Sequence, residues 1–410
     1  MDSGSMAWML TSSALVFIMT PGLAFFYGGL VKRKNIVNTI MMSAIMLGIG
    51  SLLWVLIGFS LSFSGDVGGI IGDLKWFGLN FDSLTDTTFA PTTLTFAIFQ
   101  MMFAIITPAL FTGAIAERMK FSSLVIFVTI WSIVVYYPLA HMVWGGGFLA
   151  DIGSVDFAGG NVVHISSGIS ALTLSIVLGK RKNVGMATYR PHNVPFVFLG
   201  AALLWFGWFG FNAGSAGAAN ELAAHAFMTT NTAAASALLS WTLIEKLTSG
   251  KPTLVGASTG MVIGLVAITP GAGFVPIWAS IIIGLLVSPI CFFFISVVKK
   301  KFGYDDALDV FGCHGIGGIW GGIATGLFAK TSINPVAQWD GLVFGNANLF
   351  LRQLAAIAIT IVIAIVGTLI AAGIVRLFTG TIKVSTKDED IGLDISEHGE
   401  SAYPSFNGMD

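Results

Sequence analysis

The chain has 410 residues, of which 55% are hydrophobic and only 10% charged, where an ordinary soluble domain carries roughly 25% charged residues. Its 20 Lys and Arg nearly cancel 21 Asp and Glu, and its mean hydropathy is +0.85. These values exclude a disordered chain, weigh against a soluble enzyme and leave no basic patch for nucleic acid.

Glycine is abundant, 50 residues, and so is phenylalanine, 33. Glycine lets helices approach closely in lipid, and phenylalanine lines apolar passages. Cys291 and Cys313 form no CxxC pair and no disulfide framework.

A membrane span needs about 20 mainly apolar residues. Eleven stretches qualify in chain order: 7–30, 36–63, 92–116, 121–142, 157–178, 194–214, 218–245, 253–270, 274–298, 308–328 and 348–378. The first lacks a basic n-region and runs on into Pro21-Gly22 and Phe26-Tyr27-Gly28-Gly29, so it reads as a retained span and not a signal peptide. The predicted fold is an all-α polytopic membrane protein of eleven transmembrane helices.

Basic residues sort the loops. Lys32, Arg33, Lys34, Arg118, Lys120, Lys180, Arg181, Lys182, Arg190, Lys246, Lys251 and Lys299–Lys301 fall on one side, joined by Arg376, Lys383 and Lys387. The other side holds only Lys75, Lys330 and Arg352. The positive-inside rule makes the first side cytoplasmic. The N-terminus is then expected outside and the C-terminus inside, in the inner (plasma) membrane. The outer loops carry Asp66, Asp73, Asp82, Asp86, Asp151 and Asp340. They read either as an entrance that favours cations or as the ordinary consequence of basic residues staying inside, and the second reading is preferred.

Composition shifts abruptly after residue 378. Residues 1–378 form one transmembrane domain. Residues 379–410 hold Asp388, Glu389, Asp390, Asp394, Glu397, Glu400 and Asp410, a polar cytoplasmic tail for which composition alone favours a solvated state.

Ionisable residues inside spans are expensive and mark function by default. His164 lies in DFAGGNVVHISSGISAL of the fifth span and His314 in DALDVFGCHGIGGIWGG of the tenth. An acid precedes each, Asp156 and Asp309. Five spans apart, the two segments run in opposite directions. That predicts an inverted repeat of spans 1–5 and 6–10 plus an eleventh helix, with a shared site near the midplane. The acid-to-histidine spacings, eight and five, do not match. Asp156 and His164 share a helix face but stand about 12 Å apart along it, so capping is the preferred role for Asp156. The histidines read either as a structural hydrogen-bonding pair or as pore lining, and pore lining is preferred. Cys313 beside His314 makes no metal pair, because helix neighbours point apart and no further ligand is in view.

Aromatic residues form helical stripes: Trp208, Phe211 and Ser215 in one, Phe96, Phe99, Phe103 and Thr107 in another, with Trp144 ending the fourth span. Singly, each fits core packing or an interfacial belt better than a site. No GxSxG, HExxH, Walker A loop or dinucleotide fingerprint is present.

The segments FYGGLVKRKN, QMMFAIITPALFTGAIAER, DFAGGNVVHISSGISAL, WFGWFGFNAGS and DVFGCHGIGGIWGG together resemble the ammonium transporters of the Amt/Mep/Rh family, on its bacterial or archaeal Amt branch. The resemblance covers essentially the whole chain, into GLDISEHGESAY of the tail. It implies a homotrimer with one pore per subunit and no cofactor, metal or enzymatic activity. It also implies roles. Phe103, Trp144 and Ser215 match an outer recruitment site, and Phe103 with Phe211 a stacked gate. His164 and His314 match twin pore histidines, Trp208 and Thr269 further pore positions, and Asp156 an acid below the outer vestibule that is structural or assists deprotonation. The tail resembles a segment that couples subunits and meets PII-type signal proteins.

The implied chemistry is transport of ammonium or methylammonium. An aromatic box attracts the cation, the cation loses its proton, and NH₃ passes into the cytoplasm, with or without a separately routed H⁺. The alternatives are a neutral-solute or gas channel, and an ammonium sensor with little transport. An intramembrane enzyme lacks a nucleophile or metal constellation.

Overall fold

The computed structural model describes residues 2–81, 93–182, 184 and 190–403. Regular structure among them is helical; pairing of strand type is limited to the isolated bridges Val67–Ile71 and Met119–Lys383. The outer-loop acids Asp82 and Asp86, and Asp410 of the tail, lie outside the described residues.

Eleven rods follow the expected spans within a few residues. They are α1 (Ser3–Leu30), α2 (Arg33–Phe63), α3 (Thr93–Ile115), α4 (121–144), α5 (Gly160–Leu178) and α6 (Val194–Gly214). Then come α7 (Glu221–Ser249), α8 (Leu254–Ile268), α9 (Ile277–Phe302), α10 (311–328) and α11 (Ala347–Thr379). Eight are long and apolar enough to cross a bilayer on their own. The other three have identifiable reasons for falling short. α7 is diluted by Ala, Thr and Ser, α8 has 15 residues, and α10 is interrupted by glycine.

Local chemistry sets the helix starts. Asp2, Asn193, Asn220 and Thr253 each accept a hydrogen bond from the backbone N–H three residues on, at 2.9–3.0 Å, which satisfies an otherwise orphaned donor. Glycine sets the spacing between rods. Gly200 of α6 lies against the Phe26 N–H and the Gly22 carbonyl of α1, leaving no room for a Cβ. Gly168 of α5 lies against the Gly315 backbone of α10 in the same way.

The inverted repeat shows in matched parts. Both α5 and α10 begin with one π-helical turn, Gly160–Ile165 and Phe311–Ile316, and each turn holds a histidine. Such turns concentrate at functional sites.

The tail departs from expectation. Composition favours a solvated segment, yet the tail is folded onto the face formed by the basic loops. It carries two short helices, α12 (Thr386–Ile391) and α13 (Leu393–His398). Asp394 is buried and accepts from the N–H groups of Ile36 (3.1 Å) and Asn38 (2.9 Å), and Leu393 N–H donates to Asn35 Oδ1 at 2.8 Å. The tail thereby caps the main helix of α2 from a distance of more than 350 residues in sequence. Lys120 N–H donates to the Ile382 carbonyl, and Val384 N–H to that of Arg118. Lys34 binds the carbonyls of Glu389 and Asp390, and Lys182 pairs with Asp390 at 2.7 Å. Hydropathy cannot register this, because the partners are loop cations and backbone donors.

Beneath the tail, Arg118 is fully buried and donates to Asp305 Oδ2 at 3.0 Å. Arg181 grips the same carboxylate through Nε (2.9 Å) and Nη2 (2.8 Å), and Glu117 through Nη1 at 3.0 Å. Buried charges persist when they are paired in this way.

Two substitutions test these contacts. Asp394→Ala removes a cap worth about 1 kcal/mol and exposes Lys383 and Lys387 to trypsin faster than in the parent; equal cleavage rates contradict the docking. Gly168→Ala overpacks the α5–α10 crossing at a cost of about 1–3 kcal/mol and lowers the melting temperature in detergent. Gly373→Ala in α11, where an added Cβ meets nothing within 4 Å, leaves it unchanged or raises it, by up to about 1 kcal/mol of helix propensity. Equal melting temperatures for the two variants would show that the crossing is not tight.

Candidate functional site

The face opposite the basic loops leads inward through aromatic rings. Trp144 closes α4 half-buried, and its indole N–H donates to the Asp156 carbonyl at 2.9 Å. Its ring meets Phe103 edge-on, centroids 5.9 Å apart at 85°. Below them Phe103 of α3 stacks on Phe211 of α6, centroids 4.2 Å apart at 23°. Both phenylalanines are buried, so the pair closes the way. Ser215 sits one turn beyond Phe211 and donates to its carbonyl at 2.8 Å. Phe96 does not join this group. It packs with Phe59 and Phe63 in a separate aromatic cluster.

Beyond the stacked pair lies a lumen of about 10 Å³, lined by Met19, Leu23, Ile106, Leu110, Val163, Leu204, Trp208, Phe211 and the two histidines. A cavity needs roughly 10–15 Å³ on this measure to hold one water. The lumen therefore has room for one small molecule and none for a hydration shell.

His164 and His314 meet here, Nδ1 to Nδ1 at 3.2 Å, with rings 20° from parallel. One nitrogen donates and the other accepts, so the pair shares a single proton between two neutral rings of opposite tautomer. One ring then turns a protonated Nε2 outward and the other a bare one. His164 Nε2 is buried with no protein partner, and a buried polar atom in that state points to a ligand or ordered water. Trp208 stacks on His164, centroids 5.3 Å apart at 19°. Thr269 is fully buried behind Trp208 and accepts its indole N–H at 2.9 Å. It orients Trp208 without lining the lumen.

Asp156 has the geometry of a cap. Its Oδ1 accepts from Gly159 N–H (2.8 Å) and Gly160 N–H (2.6 Å), and Oδ2 from Asn161 N–H (2.7 Å). Gly159, at φ +116°, makes the tight approach possible. Three donors occupy the carboxylate, which therefore holds the π turn under His164.

The matching acid in α10 is Asp306 and not Asp309. Asp306 Oδ2 accepts from Phe311 N–H at 2.7 Å, five residues on, as Asp156 does from Asn161. Asp306 also stands eight residues before His314, the spacing of Asp156 to His164. Asp309 instead pairs with Lys299 at 2.6 Å. Burial pushes the Asp306 carboxyl up to about 6, with Lys299 opposing and Asp309 adding to the rise. Sequence reading missed Asp306 because it took the nearer acid; the repeated spacing of eight was the available signal.

On the basic face a vestibule of about 570 Å³ opens toward Cys313, with Lys299, Tyr304, Asp309, Trp241 and Glu245 in its walls. Three of the loop acids are bound locally: Asp73 accepts from Ser64 Oγ and Lys75 N–H, Asp340 from Thr331, and Asp66 from Gly69 N–H and His141. Among the described residues no group of three or more His, Cys, Asp or Glu could hold a metal.

Residues 7–403 match the model of the Ammonium Transporter Family. An ammonium transporter of Bacillus subtilis (strain 168) is 51% identical over 98% of this chain and 99% of its own length. The ammonium transporter Amt1 of Archaeoglobus fulgidus is 47% identical over 98% and 100%. The crystal structure of Saccharomyces cerevisiae Mep2 superposes with a TM-score of 0.90 at 34% identity, covering 99% of this chain and 93% of that one. A sensor Amt protein superposes at 0.86 with 27% identity, covering 96% and 98%. Matched to the family model over residues 7–403 and about half identical to a transporter over nearly its whole length, the chain belongs to the ammonium transporter family.

Proposed function

We propose that this chain carries ammonium into the cytoplasm by stripping its proton and passing NH₃ between His164 and His314. The observation that carries the reading is a lumen of about 10 Å³ beneath two stacked phenylalanines, with a buried histidine nitrogen left unpartnered. A hydrated cation does not fit there. A bare cation at the bilayer centre costs from ~3 to more than 10 kcal/mol.

Ammonium has a pKa comparable to the ~10.4 of lysine, so at neutral pH it arrives charged. Phe103 and Trp144, with Ser215 nearby, attract it at about 0.5–2 kcal/mol per aromatic contact. Phe211 then moves aside, NH₄⁺ gives its proton to the bare Nε2 of the pair, the shared Nδ1 proton shifts to the other ring, whose own Nε2–H is released toward the cytoplasm, and NH₃ enters. The bare histidine nitrogen accepts from NH₃, the protonated one donates to it, and the shared Nδ1 proton gives a relay path. Potassium has no proton to lose and is excluded.

The remaining assignments complete the reading. The chain sits in the plasma membrane with its N-terminus outside and works as a homotrimer. Residues 1–378 transport, while 379–410 regulate and meet a PII-type protein on the cytoplasmic face. The tail seated on the basic loops supports that division. The likeness to a sensor Amt protein favours one other reading, a sensor with little flux; ammonium binding without current in liposomes would select it.

Currents from purified protein in liposomes test the main reading. Ammonium pulses give inward current and potassium pulses none. Trp144→Leu raises the half-saturation concentration about two- to tenfold and lowers maximal current less. His164→Asp or His164→Glu places a fixed negative charge in a low-dielectric pore and admits K⁺. His164→Ala with His314→Ala loses proton-coupled selectivity, non-additively with respect to the single variants. If every folded variant keeps wild-type selectivity for ammonium over K⁺, the histidines are structural and the mechanism is wrong.

A further inference from the structure

His141 precedes Trp144 by three residues on α4 and is fully buried. Its Nδ1 lies 3.2 Å from the Ser62 carbonyl oxygen and its Nε2 2.9 Å from Asp66 Oδ1. The ring thus bridges a backbone carbonyl on one side and the Asp66 carboxylate on the other. Asp66 stands at the mouth with its side chain 53% exposed. The His141 hydrogen bond holds its carboxyl below the ordinary value, with Gly69 N–H assisting. Asp73, in the same loop, is occupied by Ser64 and Lys75.

The chain that follows His141 wraps back onto it. The His141 carbonyl accepts from Gly145 N–H (2.9 Å) and Gly147 N–H (3.1 Å). A Cβ on Gly145 would come within 2.8 Å of His141 Nδ1, and one on Gly147 within 2.9 Å of its Cδ2. Phe148 N–H donates to the Gly69 carbonyl at 2.8 Å, which closes the strap between the Asp66 loop and the glycine turn. Trp144 is held inside this clasp, and its other anchor is the Asp156 carbonyl.

We propose that His141 and Asp66 are positioning residues of the outer ammonium site. Their contact fixes the Gly145–Gly147 turn and so the edge-on angle at which Trp144 faces Phe103. The inference rests on the reading of Trp144 as part of the recruitment site.

Asp66 is the residue to vary, because it lies at the surface and its replacement leaves the buried ring in place. In liposomes Asp66→Ala raises the half-saturation concentration of the ammonium current about two- to tenfold, within the range expected for losing one aromatic contact, with little change in maximal current. Asp66→Asn restores it to near the wild-type value, because the amide offers the ring either an acceptor or a donor and keeps the strap closed. In a Trp144→Leu background Asp66→Ala produces no further rise, since both act through one side chain.

Three results overturn the inference: no shift with Asp66→Ala, an additive shift in the Trp144→Leu background, or equal shifts for Asp66→Ala and Asp66→Asn. The last would mean that only the lost surface charge matters. Failure of the underlying reading looks different. Trp144→Leu would itself leave half-saturation unchanged, and the inference would fall with it.

Discussion

The meeting of the two histidines depends on one backbone contact, the crossing of α5 and α10 at Gly168 and Gly315. No side chain fits between them. Two helices that approach this closely bring the residues on their facing turns together, and those residues are His164 and His314. Each histidine sits in a π turn, which re-aims a side chain that a regular α turn would place elsewhere. Each turn is fixed at its start by a buried acid, Asp156 or Asp306, bonded to backbone N–H groups. The 3.2 Å between the two rings follows from this scaffold and needs no metal or further polar contact to hold it.

Polarity in the lumen is confined to those rings. Aliphatic side chains, Trp208 and Phe211 form the rest of the wall, and the Phe103–Phe211 stack keeps bulk water out. In a dry site every hydrogen bond is stronger and every unpaired polar atom more costly, so a small neutral donor–acceptor is favoured where an ion is not. Charge is gathered on the basic face instead. Arg118 and Arg181 clamp Asp305 there, and Asp305 directly precedes the Asp306 cap of α10. The docked tail bonds to the backbone of Arg118 through Val384. Tail, ion cluster and pore helix are thus covalently or hydrogen-bonded neighbours.

Sequence revealed the number, order and ends of the spans, because hydropathy and loop charge are local properties. It also revealed the two histidines, since an ionisable residue in an apolar run is conspicuous. Resemblance to a family supplied the pairing of Phe103 with Phe211, which helical stripes did not, because a stripe shows one face of one helix and not its partner. Three features escaped. Asp306 was passed over for the nearer Asp309. The docking of the tail was hidden because Asp394 works on N–H groups more than 350 residues away. The clasp of His141 depends on the Ser62 carbonyl, a backbone atom without a sequence signature. For the tail and the clasp the missing information was a long-range polar contact, which carries no periodicity; for Asp306 it was a local cap whose signal, the repeated spacing of eight to the histidine, was available.

The central claim is that ammonium divides into NH₃ and a proton to pass the histidine pair. The most direct measurement is the ammonium-evoked current of the wild-type protein in liposomes, recorded in H₂O and again after full exchange into D₂O. If a nitrogen–hydrogen bond breaks in transit, the current falls several-fold in D₂O. A fall no larger than the higher viscosity of D₂O produces would mean that the cation crosses intact, and the account would be contradicted.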